Sequence, residues 1–367
     1  MTRTSHSLKK VLLAGFAGTC LLPAAAFAQL GGFDTEIRNA PAKQKIKERQ
    51  IVDVRIDPAW KGPRSISQAI PLVEEAGEIV VHPGVYPPES VYLSKSVSIR
   101  GIRDSYGEAP TLVANGSCVT VASDAVSARI SDVAFKASRQ TCVSVTNGHL
   151  EIQNSSIEGR NAGYAAPSAN RVGHLAHFDE NAAAYGRSAL VSVQGGRVSI
   201  VNTRLVGGET GVRIATDQTG NAFEHVSLRD NIIAQMSGAG VVMVGNVDAT
   251  LSSNSIINNG MGGVVYSASG HARLIGNIIS NNAYNGLYIQ GLREAVSVEG
   301  NQIHDNADDG IEVRSGTAIL VGNDIGEHRG CRVKEAPLDR SQSQHLAKPP
   351  ITLLADAQGI NPYAIRN

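Results

Sequence analysis

The sequence has few aromatic residues and no net charge. Its 367 residues include 6 Phe, 9 Tyr and 1 Trp, and 33 Lys and Arg residues balance 33 Asp and Glu residues. Loss of residues 1–28 would remove three basic residues and no acid, for a net charge of −3. A large aromatic core is therefore not expected. No nucleic-acid partner is expected either, because the basic face of such a protein would show in its net charge.

Long apolar runs are also absent, except near the N-terminus. The run from Val11 to Leu22 follows basic residues and precedes a small-x-small sequence that ends at Ala28. This pattern is typical of a secretory signal peptide, so residues 1–28 are predicted to be removed after Ala28 and the mature protein to be periplasmic or secreted. The alternative is a membrane anchor, but a run of about 12 residues is shorter than the roughly 20 that span a bilayer. No membrane insertion is predicted.

The dominant feature of the chain is an internal repeat of the form Asn-x-Ile-x-x-Asn followed by a glycine. The first Asn of successive copies stands at 231, 254, 277, 301 and 323. Short apolar alternations between Gly and Asn residues are typical of β-strands. One copy cannot bury a core alone, so its strands must pair with the next copies about 4.8 Å above and below.

The repeat therefore predicts an all-β fold, a single-stranded right-handed parallel β-helix with about 22–24 residues per coil. Leucine-rich repeats have a similar length, but their dense Leu spacing is absent. The recurring Asn residues are predicted to form buried ladders that satisfy the backbone of the neighbouring coil, rather than to act in chemistry. The glycine before each Gly-x-x-x strand, as at Gly240, Gly263, Gly286 and Gly310, is predicted to need a positive φ.

Cysteine is scarce, and only Cys118, Cys142 and Cys331 follow the leader. An odd number excludes a full disulfide framework. Cys118 and Cys142 occupy the glycine position of two successive coils, so their Cα atoms are predicted to lie near 5 Å apart, within disulfide reach. We expect a disulfide in an exported protein; two stacked free thiols are the alternative.

The flanking segments are predicted from their departure from the repeat. Residues 29–62 are interpreted as an N-terminal linker and residues 63–328 as the β-helix, with a short capping helix at its start and an insertion at 160–188. Residues 329–367 are interpreted as a C-terminal tail, whose apolar stretch 351–354 is a candidate to fold over the last coil. Long loops on a solenoid commonly carry its binding function.

The repeat, together with Ser-Ile-Ser-Gln-Ala-Ile and Val-His-Pro-Gly-Val-Tyr near its start, resembles the right-handed parallel β-helix superfamily. The most similar types are NosD-like, pectate-lyase-like and mannuronan C5-epimerase-like proteins, and the resemblance runs from about Ile66 to Ile325. It implies a pectin-lyase-like fold and a polysaccharide partner, because many members act on acidic polysaccharides as lyases, hydrolases or epimerases. The catalytic signatures of the alginate epimerases and polygalacturonases are missing, which leaves activity open.

A candidate catalytic group lies in the last two coils. Alignment of these coils places Asp305 over Glu327, with His304 and His328 beside them and Asp308, Asp309 and Glu312 following. Two carboxylates about 5 Å apart separate their pKa values, as a general acid and base require. This predicts Asp305, Glu327 and His304 as catalytic residues. The spacing also suits a Ca²⁺ site, whereas a merely solvated acidic turn is the structural alternative.

The outward positions of the Gly-x-x-x strands form a second candidate surface. They are predicted to be Thr120, Ser144, Val191, Arg213, Val242, Val265, Tyr288 and Glu312. From this set and the next residues we select Arg213, Tyr288, Glu312 and Arg314 as substrate-binding residues. The arginines would offset the charge of a sugar carboxylate, and Tyr288 would stack on a sugar ring. His174, His177 and Asp179 are a weak metal-binding pattern, so no metal ligand is assigned.

These observations predict an exported β-helix that binds a polysaccharide and processes it by lyase or epimerase chemistry. The alternative of a different class is a non-catalytic structural or accessory solenoid of the cell envelope, or an adhesin. A clustered acid, base and cation within one groove would favour the enzyme. Scattered side chains on flat faces would favour the structural protein.

Overall fold

The computed structural model describes residues 49–138, 141–160, 188–215, 224–335 and 351–354. They form an all-β, right-handed parallel β-helix of about 11 turns, as the repeat predicted. Each coil contributes short strands that pair in parallel with their counterparts one coil away. The predicted signal peptide at 1–28 and most of the insertion at 160–188 lie outside the described residues.

The strands stack in three columns, which the chain visits in the order A, B, C. Column A contains β1 (Ile51–Val54), β2 (Gly77–Val81), β4 (Val97–Gly101), β10 (Arg197–Val201), β13 (Glu224–Arg229), β18 (Ala272–Ile275) and β25 (Ile351–Leu354). Column B contains β6 (Ala134–Lys136), β8 (Ser156–Glu158), β11 (Arg204–Val206), β14 (Ile232–Ala234), β16 (Ser255–Ile257), β19 (Ile278–Ser280), β21 (Gln302–His304) and β23 (Asp324–Ile325). Column C contains β9 (Ala189–Val193), β12 (Thr210–Ala215), β17 (Val264–Ser269) and β24 (Val333–Glu335).

Six longer strands turn a corner of the solenoid and contribute to more than one column. They are β3 (Val85–Leu93), β5 (Thr111–Ser131), β7 (Val143–Gln153), β15 (Val241–Ser252), β20 (Leu287–Glu299) and β22 (Ile311–Val321). Inward side chains from all columns form one continuous core, in which Ile256, Ile279 and Ile303 stack in successive coils without solvent exposure. Because aliphatic side chains fill it, the core needs few aromatic residues.

Both predicted Asn ladders are present and buried. In the ladder of Asn231, Asn254, Asn277, Asn301 and Asn323, the Oδ1 atom of each Asn after the first accepts hydrogen bonds from the backbone N–H and the Nδ2 of the Asn one coil before. Each Nδ2 also donates to a backbone carbonyl of the preceding coil. Asn259, Asn282 and Asn306 repeat this arrangement at another turn. The ladders thus satisfy backbone groups that the turns leave without strand partners.

The predicted reason for the repeated glycines is wrong. Gly240, Gly263, Gly286 and Gly310 do not have a positive φ. A Cβ atom at Gly263 would lie only 2.6 Å from Ile279 Cγ2, 2.7 Å from the Gly286 oxygen and 2.8 Å from Asn282 Nδ2. The glycine is therefore needed for close packing between coils.

Cys118 and Cys142 lie in the corresponding position of two earlier coils and form a disulfide, with their Cα atoms 4.5 Å apart. Both residues are buried. The bond links two adjacent rungs of column C, where Val119 pairs with Val143. Cys331 is a free, exposed thiol.

The solenoid extends beyond both predicted boundaries. β1, inside the predicted linker 29–62, pairs with β2 as the first rung of column A. Past residue 328, β24 pairs with β22 in column C and β25 pairs with β22 in column A. These strands are only three or four residues long and lack the repeated Asn, which explains why the pattern missed them.

A four-residue helix, α1 (Ile66–Ala69), precedes β2 and buries Ile66 and Ala69. Ser65 begins it by accepting a hydrogen bond from the Gln68 N–H through its side chain. The helix is shorter than the sequence suggests, since Pro71 has no amide hydrogen to continue it. Within the described residues, no helix is long and apolar enough to cross a membrane.

Candidate functional site

Asp305 and Glu327 lie on the exposed turn that follows column B, and His304 is the last residue of β21. Asp305 and Glu327 occupy equivalent positions, since the Asp305 N–H donates to the Glu327 carbonyl oxygen at 2.9 Å. His304 Nδ1 and Asp305 Oδ2 are 2.7 Å apart. The Asp305 side chain is 64% exposed, so solvent screens its charge. The structure therefore brings the three residues together on neighbouring coils.

The predicted substrate-binding residues lie on the outer face of column C. The register of the column places Arg213, Val242, Val265, Tyr288, Glu312 and Lys334 on successive rungs. One assignment is wrong by a residue, because Ser192 pairs with Arg213 whereas Val191 points into the core without solvent exposure. Arg213 and Glu312 are four rungs apart, roughly 19 Å at the usual strand spacing. They do not act on the same sugar residue.

Tyr288 is not available as a stacking surface. It is only 3% exposed, because it packs with Ala239, Val242 and Val265 in a small apolar cluster outside the main core. Tyr284, on the turn before column C, is half-buried at the edge of this cluster. The turn before column C thus covers the outer face of the strand at Tyr288. A side chain that points outward from the sheet is therefore not exposed to solvent here.

Four charged residues meet at the C-terminal end of this face, and we call Asp309, Glu312, Arg314 and Lys334 the outer charge cluster. The Lys334 Nζ lies 3.0 Å from Asp309 Oδ2 and 3.5 Å from Glu312 Oε1. Arg314 Nη1 lies 3.7 Å from the same Glu312 oxygen. The two carboxylates are buried, whereas the Lys334 side chain is 42% exposed. The cations therefore face solvent above two covered carboxylates.

Backbone and amide groups fix the two carboxylates of the outer charge cluster. Asn285 Nδ2 donates to Glu312 Oε2 at 2.7 Å, and its Oδ1 accepts from the Asp309 N–H at 3.0 Å. Asp309 Oδ1 accepts from the Cys331 N–H at 2.7 Å. Partial burial opposes the charge on Lys334, but attraction to Asp309, Glu312 and Asp308 outweighs it and raises the pKa of Lys334. Lys334 is thus a cation at neutral pH, suited to hold an anionic group.

Lys334 is the residue of this cluster that the sequence interpretation missed. It lies in the segment assigned to the C-terminal tail, where Arg332 stands at the repeated glycine position. A signal was available, because Lys334 follows Glu312 by the same 22 residues that separate Asn301 from Asn323.

His328, beside the predicted catalytic residues, ends the second Asn ladder. Its Nδ1 accepts a hydrogen bond from the Asn306 N–H at 3.3 Å, where an Asn oxygen accepts in earlier coils. Its Nε2 lies 3.2 Å from the Ile303 carbonyl oxygen, which fits a donated hydrogen bond from the neutral ring. His328 therefore has a structural role in the neutral form.

Stability should fall at acid pH through His328. Burial lowers the pKa of His328; the hydrogen bond to Ile303 and the charges of Asp305 and Asp309 oppose this effect, while His304 adds to it. A histidine whose pKa is lower in the folded than in the unfolded protein makes its full contribution to stability above the unfolded-state pKa of about 6.5. This contribution is lost as the pH falls below that value. The Asn side chain in His328→Asn has a hydrogen-bond acceptor at every pH. We therefore expect the free energy of unfolding in urea to fall less between pH 7.5 and pH 5.0 in this variant than in the wild type. Parallel pH profiles of the two proteins would contradict this role.

A metal site is not evident in the described part of the chain, where no three His, Cys, Asp or Glu residues are arranged to hold an ion. The weak pattern of His174, His177 and Asp179 lies outside the described residues. Binding of Ca²⁺ stays a prediction.

One protein family and several solved structures are similar to parts of this chain. The family described as right handed beta helix region matches residues 188–335, and no curated protein matches the chain. Among solved structures, a pectate lyase is 12% identical over 77% of this chain and 78% of its own, with a TM-score of 0.47. An alginate lyase is 15% identical over 77% of this chain and 63% of its own, with a TM-score of 0.42.

The A-module of a mannuronan C-5 epimerase from Azotobacter vinelandii is 12% identical over 76% of this chain and 91% of its own, with a TM-score of 0.33. The parallel strand columns and the family match agree on the architecture. The described residues form a right-handed parallel β-helix, and residues 188–335 match the family of that description.

Proposed function

We propose that this protein binds an acidic polysaccharide at the outer charge cluster, at the C-terminal end of column C, and processes it there by lyase or epimerase chemistry. The observation that carries the proposal is the environment of Glu312. Its buried carboxylate is held by Asn285 between two cations, Lys334 and Arg314, that reach the surface.

The cluster supplies the groups that such chemistry needs. Lys334 and Arg314 offset the charge of a sugar carboxylate and of the enolate-like intermediate. Glu312 accepts the proton from the carbon next to that carboxylate, and the electrons of the broken C–H bond move into the enolate. In a lyase reaction the enolate electrons form a double bond to the next carbon as its C–O bond breaks, and the leaving alkoxide takes a proton from water. In an epimerase reaction water returns a proton to the opposite face of the enolate carbon. In both reactions Glu312 then releases its proton to solvent.

Export is part of the same proposal. The polysaccharide partner is then met in the periplasm or outside the cell, after removal of residues 1–28. The disulfide between Cys118 and Cys142 supports an oxidising compartment.

The test uses the mature protein, whose intact mass should correspond to a chain that starts at Gln29. Acidic and neutral polysaccharides are supplied with and without Ca²⁺. Absorbance near 235 nm reports elimination, reducing ends report hydrolysis, and deuterium uptake from D₂O reports epimerisation. We expect elimination or deuterium uptake with an acidic polymer and, in Glu312→Gln, a loss of about 100-fold or more.

Asp305→Asn is the matched control, because Asn tolerates the positive φ at this position and the Asp305 side chain is 64% exposed. It should keep full activity. Loss of activity in Asp305→Asn with retention in Glu312→Gln would place the site on the exposed turn instead. Binding without any reaction would favour the non-catalytic accessory solenoid.

A further inference from the structure

The turn between β4 and the column-B part of β5 presents the most exposed large apolar or aromatic side chain of the described residues, Tyr106. Its side chain is 89% exposed. The turn is nevertheless closed, since Asp104 Oδ1 accepts hydrogen bonds from the N–H groups of Tyr106 and Glu108 at 2.9 and 2.8 Å. The Asp104 N–H donates to the Glu108 carbonyl oxygen, which closes the turn a second time. The aromatic ring is thus held on an ordered support.

Arg103 fixes this turn to the body of the solenoid. Its Nη1 donates to the Gly107 carbonyl oxygen at 2.9 Å and its Nη2 to the Asn154 carbonyl oxygen at 3.0 Å. Its Nε donates to Asp132 Oδ1 at 3.2 Å. One guanidinium therefore connects the turn to two further coils. A rigid aromatic side chain loses little conformational entropy when a ligand binds.

The base of this turn, at Arg103, Glu108 and Ala109, forms one wall of a groove of about 350 Å³ over the outer face of column B. Residues from five coils line the groove, among them Glu108, Asn154, Asn202, Arg204, Asp230 and Ile232. The volume falls within the range of small-molecule sites in proteins, roughly 300–1,000 Å³. Ile232 adds an apolar surface, with 40% of its side chain exposed.

Polar groups in this groove are available to a ligand. Asn202 Nδ2 donates to Asn154 Oδ1 at 2.9 Å, which leaves the Asn154 amide hydrogens and the Asn202 oxygen without a partner among the described residues. The Arg204 guanidinium is also without a hydrogen bond or ion pair in the part of the chain that the structure describes. Donors and acceptors therefore stand side by side at the spacing of the coils.

The groove is electrically balanced. Arg103 and Arg204 are matched by Glu108 and Asp230, and Arg103 is already paired with Asp132. Glu108 and Asp230 are exposed and would repel an anionic ligand, whereas the two carboxylates of the outer charge cluster are buried. Adjacent amide donors and acceptors suit the neighbouring hydroxyls of a sugar, and an exposed tyrosine and an isoleucine suit the apolar faces of its ring.

We propose that this groove is a second carbohydrate site, and that it binds a neutral oligosaccharide long enough to reach Tyr106 on the turn beside it. It lies on column B, whereas the outer charge cluster lies on column C. The inference goes beyond the proposed function and does not depend on it. The two sites differ in charge and are distinguishable by ligand and by salt dependence.

The experiment is calorimetric titration of the mature protein with cello-, malto- and manno-hexaose, and with the hexamers of galacturonate and mannuronate. We expect at least one neutral hexamer to bind, with an affinity that 0.5 M NaCl does not change. Tyr106→Ala should weaken this binding about tenfold, and Arg204→Gln about fivefold. Both side chains are exposed, so both variants should fold.

Leu72→Ala and Arg273→Gln are the matched controls, because these side chains are exposed on other parts of the solenoid. They should keep the wild-type affinity, and so should Lys334→Gln. Absence of binding by all neutral hexamers, or binding that Tyr106→Ala leaves unchanged, would overturn the second site. Loss of neutral binding in Lys334→Gln would also overturn it by assigning that ligand to the outer charge cluster. Failure of the proposed reaction in Glu312→Gln does not bear on this binding.

Discussion

Asn277→Ala should lower the free energy of unfolding by about 4 kcal/mol, as estimated from a cost of 1–3 kcal/mol for each buried polar group left unsatisfied. Asn277 Oδ1 accepts from both the backbone N–H and the Nδ2 of Asn254, and Asn277 Nδ2 donates to the Leu251 carbonyl oxygen. All these groups are buried within the stack. The Ala side chain leaves the Asn254 N–H and the Leu251 oxygen without these partners. Urea unfolding followed by far-UV circular dichroism measures the loss.

Asn281→Gly is the control for Asn277→Ala. Asn281 stands four residues later on the same coil, but it is exposed and has a φ of 55° that glycine adopts easily. Its unfolding midpoint should stay near that of the wild type. An equal loss in both variants would show that the buried ladder adds nothing special to the stability of the solenoid.

Removal of the disulfide should be the other large stability effect. The bond between Cys118 and Cys142 closes a loop with a sequence separation of 24 residues, for which chain-entropy arguments give about 3.5 kcal/mol at 25 °C. The Cys118→Ala/Cys142→Ala variant keeps both Cβ atoms in their buried positions, so its loss reports mainly the bond. Urea unfolding of the variant, and of the wild type with and without reductant, measures the difference.

Cys331→Ser is the matched control for the disulfide variant, because Cys331 is exposed and unbonded. It should unfold like the wild type. A wild type that is insensitive to reductant and as stable as the double Ala variant would favour two stacked free thiols instead. Because repeat proteins gain stability from each coil and its neighbours, the loss should be concentrated in the coils around Cys118 and Cys142, as hydrogen exchange can show.

Much of the fold was predictable because a solenoid repeats one environment. The Asn at 254, 277 and 301 are equivalent in sequence and also in hydrogen bonding. The prediction failed where a coil loses its alternation. In β9, the apolar residues Ala189, Leu190 and Val191 follow one another without a polar residue between them, and all three are buried. The sequence therefore does not show which residues of this strand face outward.

The candidate site was predictable only in part, because outward direction does not determine exposure. Glu312 and Arg314 were identified from their column, and the structure gives them Lys334 as a partner. Tyr288 has the predicted direction, but a turn covers it. Tyr106 showed no pattern at all, since its importance depends on the hydrogen bonds of Asp104 and Arg103 that hold the turn.

The register of the columns also bears on how the chain folds. Each residue of a strand pairs with one that is 22–24 positions away in the regular coils, as Ile256 does with Ile279. This separation is only about 6% of the chain length, so relative contact order is as low as in helical bundles, although the protein is built of β-strands. Folding can therefore begin at any pair of neighbouring coils and spread one coil at a time towards both ends.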